Sequence, residues 1–164
     1  MKDWHKQALW VALALTGAVA LWVWMPSDER RIQKLLARLT SEINEPAQGS
    51  ALANLAAANR FADLFAPGFQ VRVNVPGAPD LNLSARSELI QAYVDAKNQR
   101  RSIQAELLDP RTIQLAAEEA VVEATARAQV SGESELFVAE LRFTLVKVDR
   151  RWRIRDVESI RTFE

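Results

Sequence analysis

The chain has 164 residues, and its 21 lysines and arginines balance 21 aspartates and glutamates, so its formal net charge is zero. This balance argues against a nucleic-acid-binding module, which normally carries a basic excess to meet phosphates. The lack of cysteine excludes a disulfide framework and thiolate chemistry.

An apolar run of 18 residues, ALWVALALTGAVALWVWM at 8–25, ends at Pro26. At about 1.5 Å per residue it spans roughly 27 Å, close to the bilayer hydrocarbon core of about 30 Å. Tryptophans, which favour membrane interfaces, lie near both of its ends: Trp4, Trp10, Trp22 and Trp24. The sequence therefore predicts a cytoplasmic tail at 1–7, a transmembrane signal-anchor at 8–25 and an exported domain at 27–164.

The same run also fits a cleaved secretory signal peptide. Lys2 and Lys6 precede it, and the Ala-Val-Ala at 18–20 fits a small-x-small cleavage site. Cleavage there would leave an exposed apolar pentapeptide, beginning at Leu21, as the new amino terminus. That start is unusual for a mature domain and favours the uncleaved anchor.

The domain is exported under both interpretations. The distribution of cations around the run does not, however, follow a simple positive-inside count. Four cations follow the run within 30–38, against two before it. A six-residue tail before a first apolar segment is nevertheless typical of export signals. We expect a single-pass protein of a bacterial inner membrane with a periplasmic carboxyl-terminal domain.

Three helices are predicted in this domain. Serines can cap helices at 27–44 and 50–65, and the first carries an apolar stripe at helical spacing. Pro67-Gly68 would end the second helix. The third is predicted from Ala85 to about Asn98.

Extended segments alternate with these helices. Residues 69–75 alternate apolar and polar side chains, which predicts a half-buried strand, and a short strand follows at 81–83. Five further strands are predicted after the third helix, at 102–108, 111–116, 119–130, 135–148 and 151–160. Hairpin turns are predicted at 118–119, 131–133 and 149–150.

The two longest predicted strands differ in the size of the side chains on their inner faces. The even positions of 120–130 are apolar and mostly alanine, whereas the odd positions of 137–145 are mostly large. Small residues opposite large ones suit a strongly curved sheet wrapped around helices. The predicted fold class is α+β, with three helices packed in a strongly curved antiparallel sheet and one transmembrane helix before them.

Two local patterns and the order of elements carry a family resemblance. The third helix opens with SARSELI at 84–90, and the last turn and strand read KVDRRWRI at 147–154. Over residues 30–161 the chain resembles the nuclear transport factor 2-like superfamily, including its SnoaL-like polyketide-cyclase branch. The resemblance implies a cone-shaped domain with a pocket at its wide end, and it implies no single activity.

Enzymes of this superfamily place Asp, His, Tyr or Arg inside the cone, as ketosteroid isomerase does. His5 is the only histidine and precedes the apolar run, so the exported domain lacks the commonest general base and metal ligand. We predict no catalytic residue, no metal site and no cofactor, and lean against an enzyme. We expect five carboxylates to be solvated or ion-paired: Asp63, Glu88, Asp95, Glu140 and Asp156.

Aromatic residues are the candidates for a pocket wall that binds a small apolar ligand. The resemblance points to Phe61, Phe65, Tyr93, Phe143 and Trp152. Packing in the core is the alternative interpretation of each one.

A basic patch surrounds the last predicted turn. It contains Lys147, Arg150, Arg151, Arg153 and Arg155, with Asp149 as the only nearby acid. These residues suit an outward strand face that keeps a sheet edge soluble. They also suit a patch for anionic lipid head groups or an acidic partner.

Position at the membrane and the missing catalytic groups favour one function. We expect a membrane-anchored interaction or scaffold module in a homo- or hetero-oligomeric envelope assembly, with a second copy or another protein as partner. The alternative is small apolar ligand binding, or SnoaL-like isomerase or cyclase chemistry, in the cone pocket.

Overall fold

The computed structural model describes residues 27–47, 49–75, 80–98, 103–130 and 136–162. The predicted signal-anchor, its cleavage alternative and the turn predicted at 131–133 lie outside these described residues. Within the described ranges, no helix is long and apolar enough to cross a membrane.

Three helices form as the sequence predicts: α1 (Asp28–Asn44), α2 (Ala51–Ala62) and α3 (Arg86–Asn98). The hydroxyl of Ser27 accepts a hydrogen bond from the third residue after it, and so does the hydroxyl of Ser50. These bonds satisfy backbone N–H groups that have no partner within the helix.

The predicted apolar stripe of α1 faces the core. Ile32, Leu36 and Leu39 are buried, with exposed fractions of 6% or less. Their spacing of three and four residues places them on one side of the helix. This stripe holds α1 against the concave face of the sheet.

Six strands form one sheet in the order β2-β1-β6-β5-β4-β3. Their bounds are β1 (Phe65–Val73), β2 (Leu81–Leu83), β3 (Ile103–Leu115), β4 (Glu119–Val130), β5 (Leu136–Val148) and β6 (Arg151–Thr162). Neighbours are antiparallel except β1 and β6, which are parallel. The prediction of a wholly antiparallel sheet is therefore wrong for that pair, because no hairpin joins these strands and fixes their direction.

The first strand begins earlier than the sequence predicts. Helix α2 ends at Ala62, and β1 starts at Phe65 rather than at Phe69. The N–H of Ile154 in β6 donates a 2.9 Å hydrogen bond to the carbonyl oxygen of Leu64, so distant pairing replaces the last helical turn. Gly68, at a φ of 73°, lies where the β1–β6 register shifts.

Strand β3 is continuous where two strands were predicted. Its register with β4 shifts between Leu108 and Arg111, and Asp109 in that interval has a φ of 49°. A bulge thus absorbs the predicted break, and the strand bends without ending.

The predicted inner faces of β4 and β5 are confirmed. Ala120 pairs with Leu145 and Val122 pairs with Phe143, and all four are buried. In these two pairs a small or medium residue of β4 lies beside a large residue of β5. Such pairs fill the concave side of a curved sheet at the density of a protein interior.

Candidate functional site

A cavity of about 200 Å³ lies between the helices and the concave face of the sheet. Nineteen residues line it, and sixteen of these are apolar. They come from every helix and every strand, so the cavity is the interior of the cone. Leu39 and Ile43 from α1, Leu89 from α3 and Leu141 from β5 are examples.

The three polar residues of the lining are already bonded or point outward. The hydroxyl of Thr40 donates a 3.1 Å hydrogen bond to the carbonyl oxygen of Leu36 in its own helix. Glu106 and Arg127 lie 4.0 Å apart, with side chains 63% and 46% exposed. Their charged ends therefore belong to the rim, and the described wall offers a ligand almost only apolar surface.

Aromatic rings form one side of this wall. The ring centroids of Phe61 and Phe65 lie 5.5 Å apart, and those of Phe65 and Phe69 lie 5.1 Å apart. Both distances are typical of tilted aromatic pairs. Of the five predicted pocket residues, Phe61, Phe65 and Phe143 line the cavity.

Tyr93 lies behind the wall, not in it. Its ring centroid is 5.0 Å from that of Phe61, and its hydroxyl donates a 2.9 Å hydrogen bond to the carbonyl oxygen of Glu42. Burial, with the nearby charges of Glu45 and Glu42, raises the pKa of Tyr93 to about 12. Tyr93 therefore stabilises the carboxyl end of α1 instead of donating to a ligand.

Lys97 supports the same helix end. Its ammonium group donates hydrogen bonds to the carbonyl oxygens of Ile43, at 2.7 Å, and of Glu45. A cation is favourable there because the carboxyl end of a helix carries unpaired carbonyl groups. Burial lowers the pKa of Lys97, against the opposing effect of Glu45 and Glu42.

Asn44 joins α1 to the sheet edge beside the cavity. Its side-chain amide donates a 2.8 Å hydrogen bond to the carbonyl oxygen of Ala105 and accepts a 2.6 Å hydrogen bond from the N–H of the same residue. Ala105 itself lines the cavity. No sequence pattern predicts this role of Asn44, whose only local signal is its position at the end of a predicted helix.

Trp152 is buried outside the cavity, where it bonds the other end of α1. Its indole N–H donates a 3.1 Å hydrogen bond to Asp28, whose second oxygen accepts a 2.7 Å hydrogen bond from Lys147. The Lys147 ammonium also lies 4.8 Å from the Trp152 ring centroid. The Lys147 hydrogen bond is the main reason that the pKa of Asp28 is lowered.

The structure divides the predicted basic patch. Lys147 pairs with α1, and Arg155 forms ion pairs with Glu119 at 3.2 Å and Asp156 at 2.9 Å. Arg150 and Arg151 instead line a groove beside α1. The patch predicted from the sequence is thus partly a set of structural ion pairs.

None of the five carboxylates considered for catalysis lines the cavity. Asp63 pairs with an arginine at 2.9 Å, and Asp95 accepts a hydrogen bond from Gln91. Glu88 accepts hydrogen bonds from two backbone N–H groups before α3, and these lower its pKa. Asp156 forms an ion pair with Arg155 of its own strand, and Glu140 lines a concavity on the outer face of the sheet.

That outer concavity is larger, at about 580 Å³, and polar. Arg142 crosses it with ion pairs to Glu123 at 2.8 Å and Glu158 at 3.3 Å, and these hydrogen bonds raise its pKa. Opposite charges that pair across neighbouring strands are typical of a solvated sheet face. The interior cavity is therefore the better candidate site.

One more carboxylate, Glu42, is largely buried, with 11% of its side chain exposed. One of its oxygens lies 3.7 Å from Arg60, and the other has no hydrogen-bond partner among the described residues. Glu42 does not line the cavity. In the described part of the chain, no group of three or more acidic or histidine side chains could hold a metal ion.

No protein-family model and no curated protein matches this sequence. Solved structures do match it. A nuclear transport factor 2-like protein of unknown function from Pseudomonas putida aligns with a TM-score of 0.64 at 10% identity, covering 84% of this chain and 89% of the other.

Two further similar structures carry different descriptions. A candidate scytalone dehydratase from Novosphingobium aromaticivorans aligns at a TM-score of 0.58 and 15% identity, over 80% of this chain and 82% of that one. A candidate calcium/calmodulin-dependent protein kinase II association domain from Xanthomonas campestris aligns at 0.60 and 15%, over 82% and 86%. These likenesses show the nuclear transport factor 2-like fold, as the resemblance implied, and at such identities they show the fold alone.

Proposed function

We propose that this domain binds a small, uncharged apolar molecule inside the cone. The observation that carries the proposal is the lining of the cavity, sixteen of whose nineteen residues are apolar. A polar or charged ligand would lose hydrogen bonds to water and regain few from this wall. An apolar ligand loses none and gains buried contact.

The volume of the cavity restricts the size of the ligand. Engineered apolar cavities of about 150 Å³ bind benzene, whereas pockets for drug-sized molecules measure roughly 300–1,000 Å³. A cavity of about 200 Å³ therefore suits one ring or a short branched chain. The described wall presents no acid–base pair, so the proposal is binding without conversion of the ligand.

Filling the cavity tests this proposal. Ala126 lines the cavity, and its neighbour Thr125 lines the outer concavity. We expect Ala126→Leu to weaken binding of indole to the full chain in detergent by about tenfold or more, because the added methyl groups occupy the ligand volume. Thr125→Leu adds similar bulk to the outer face and should leave binding unchanged.

The measurement is a titration by calorimetry in one detergent, so that partition of indole into micelles is common to all variants. Native mass spectrometry of the purified chain adds a search for a co-purified ligand. Equal binding by both variants, or no binding of indole and no co-purified apolar molecule, would contradict the proposal.

A second candidate is the membrane-held interaction module, with a second copy of the chain or another envelope protein as partner. Strand β3 is an edge of the sheet and exposes Ile113 and Leu115, at 58% and 47%. Exposed edges with apolar side chains are templates for pairing with another chain. The fold shared with a candidate association domain agrees with this use.

Light scattering of the full chain in detergent tests this candidate. We expect an oligomer that Ile113→Glu dissociates, whereas Gln114→Glu, at the next residue of the same strand, does not. A monomeric native chain would exclude self-association, and an unchanged Ile113→Glu oligomer would exclude this edge.

The anchor at 8–25 and the inner-membrane localisation with an exported domain are part of this second candidate. The intact mass of the chain isolated from membranes tests them. We expect the uncleaved mass, and a mature amino terminus at Leu21 would overturn the anchor.

A further inference from the structure

A groove between α1 and the β5–β6 turn carries an unbalanced positive charge. It encloses about 570 Å³, and seven residues line it, five of them cationic and none acidic. The cations are Arg31, Lys34, Arg38, Arg150 and Arg151. We refer to this surface as the basic groove. Three of its cations come from a helix and two from a turn more than a hundred residues later, so the sequence does not show it as one site.

Most of this charge is not neutralised within the protein. Arg31 and Arg38 lie 3.7 and 3.8 Å from carboxylates of their own helix. Lys34, Arg150 and Arg151 have no carboxylate within 4.0 Å in the described part of the chain. An anion in the groove therefore meets several cations whose mutual repulsion it relieves.

The turn beside the groove holds an arginine in a strained backbone conformation. Asp149 and Arg150 have φ values of 51° and 62°, and the strand pair Val148–Arg151 closes around them. Two successive positive φ values define the hairpin turn in which glycine is strongly preferred at the second position. A glycine at this position would relax the backbone. The arginine found there instead presents a cation to the groove. Strain of this kind is concentrated at functional sites.

The groove lies near the start of the described chain. Helix α1 begins at Asp28, and the predicted anchor ends at Met25. At about 1.5 Å per residue, Arg31 and Lys34 are within roughly 10 Å of the start of the helix. If the anchor spans the bilayer, these two cations follow it by fewer than ten residues and so lie close to the layer of lipid head groups.

We infer that the basic groove binds the phosphate-bearing head groups of anionic phospholipids at the surface of the membrane that holds the chain. Arginine and lysine both bind phosphate, and arginine does so with two parallel hydrogen bonds. This inference uses the predicted anchor and makes no use of the apolar cavity. Loss of cavity binding and loss of lipid binding are therefore separate results.

The test compares two exposed arginines that lie in strands and form no ion pair in the described chain. Arg151 lines the groove, and Arg111 lies on the far edge strand, β3. Full-length protein in a neutral detergent is titrated with phosphatidylglycerol or phosphatidylcholine in mixed micelles. We expect Arg151→Gln to weaken phosphatidylglycerol binding about fivefold, the effect of one cation near an anionic membrane surface.

Arg111→Gln removes the same charge elsewhere and should leave the affinity within the error of the titration. Arg150→Gly supplies a second groove variant, and we expect it to relax the turn. Weaker lipid binding at an unchanged or raised unfolding temperature then reports the lost cation. Native mass spectrometry reports the number of lipids retained by each variant.

Several results would overturn the inference. These are equal loss in Arg151→Gln and Arg111→Gln, or equal affinity for phosphatidylglycerol and phosphatidylcholine. Free glycerol phosphate that binds as tightly as the lipid would indicate a site for soluble anions. A polyglutamate peptide that binds more tightly than the lipid would indicate an acidic protein partner.

Discussion

The side chain of Asn44 forms both backbone hydrogen bonds of Ala105, at 2.8 and 2.6 Å, as a neighbouring strand residue would. It thereby closes part of the free edge of β3 and holds the end of α1 over the cavity. The two bonds use separate atoms of the side chain, and an amide supplies a donor nitrogen and an acceptor oxygen side by side without adding charge.

We expect Asn44→Ala to lower the free energy of unfolding by about 1 to 3 kcal/mol, because two hydrogen bonds are lost. Denaturant titration gives this value. Asn82→Ala, an exposed asparagine on β2, is the control and should change stability little. If both variants are equally stable, the bridge to Ala105 does not contribute to the fold.

Asp28 makes the free energy of unfolding depend on pH in the acidic range. Its pKa is held below the ordinary value of 3.8, chiefly by the hydrogen bond from Lys147. A lowered pKa in the folded state stabilises the fold above the unfolded value, and this contribution is lost as the pH falls through the folded value. Asp28→Asn should therefore cost about 1 kcal/mol near neutral pH and progressively less below pH 3.8.

Unfolding curves of Asp28→Asn and the native chain at several pH values give this difference. Asp80→Asn removes the same charge from an exposed carboxylate that is in no ion pair of the described chain, and it serves as the matched control. A difference that stays constant into acid would mean that Asp28 contributes by packing alone.

Tyr93 offers a direct optical titration, since it is the only tyrosine in the chain. Burial raises its pKa from 10.0 to about 12, so the ultraviolet absorbance of the phenolate should appear only near that pH in the folded protein. In denaturant it should appear near the ordinary value. The raised pKa stabilises the fold below pH 10.0, and this contribution is lost as the pH rises through about 12. A phenolate signal near the ordinary value in folded protein would show that the hydroxyl is solvated.

Arg150→Gly should stabilise the domain by about 1 kcal/mol, because it removes a positive φ from a residue with a side chain. Arg153→Gly makes the same change at a strand position without a positive φ, and it should destabilise by a similar amount. Thermal unfolding of the two variants gives opposite shifts if the turn is strained. Shifts of the same sign would show that it is not.

Patterns that repeat within one element predicted their structure well. The inner faces of β4 and β5 follow from alternation alone, and the stripe of α1 follows from helical spacing. The start of β1 was predicted at Phe69 because Pro67-Gly68 is a strong local break. Its actual start at Phe65 depends on pairing with β6, about ninety residues later in the chain.

The residues of the candidate site were predictable where they too follow a pattern within one element. Phe61, Phe65 and Phe143 line the cavity, where chain order and alternation suggest an inner face. Tyr93 and Trp152 have apolar bodies too, but each has a polar atom that must be bonded when buried, and those bonds draw them to the ends of α1. No local pattern shows where such distant partners lie.

Because α1 is bonded at both ends, it determines how the domain carries mechanical load. A pull on the chain before Ser27 reaches Asp28 first, and through it Lys147 and Trp152 at the β5–β6 end of the sheet. The force therefore enters the centre of the sheet, where β5 and β6 have neighbours on both sides, and not an edge strand that could peel away. A force applied there would have to break the Asp28 contacts and then act on two strands that are each paired on both sides.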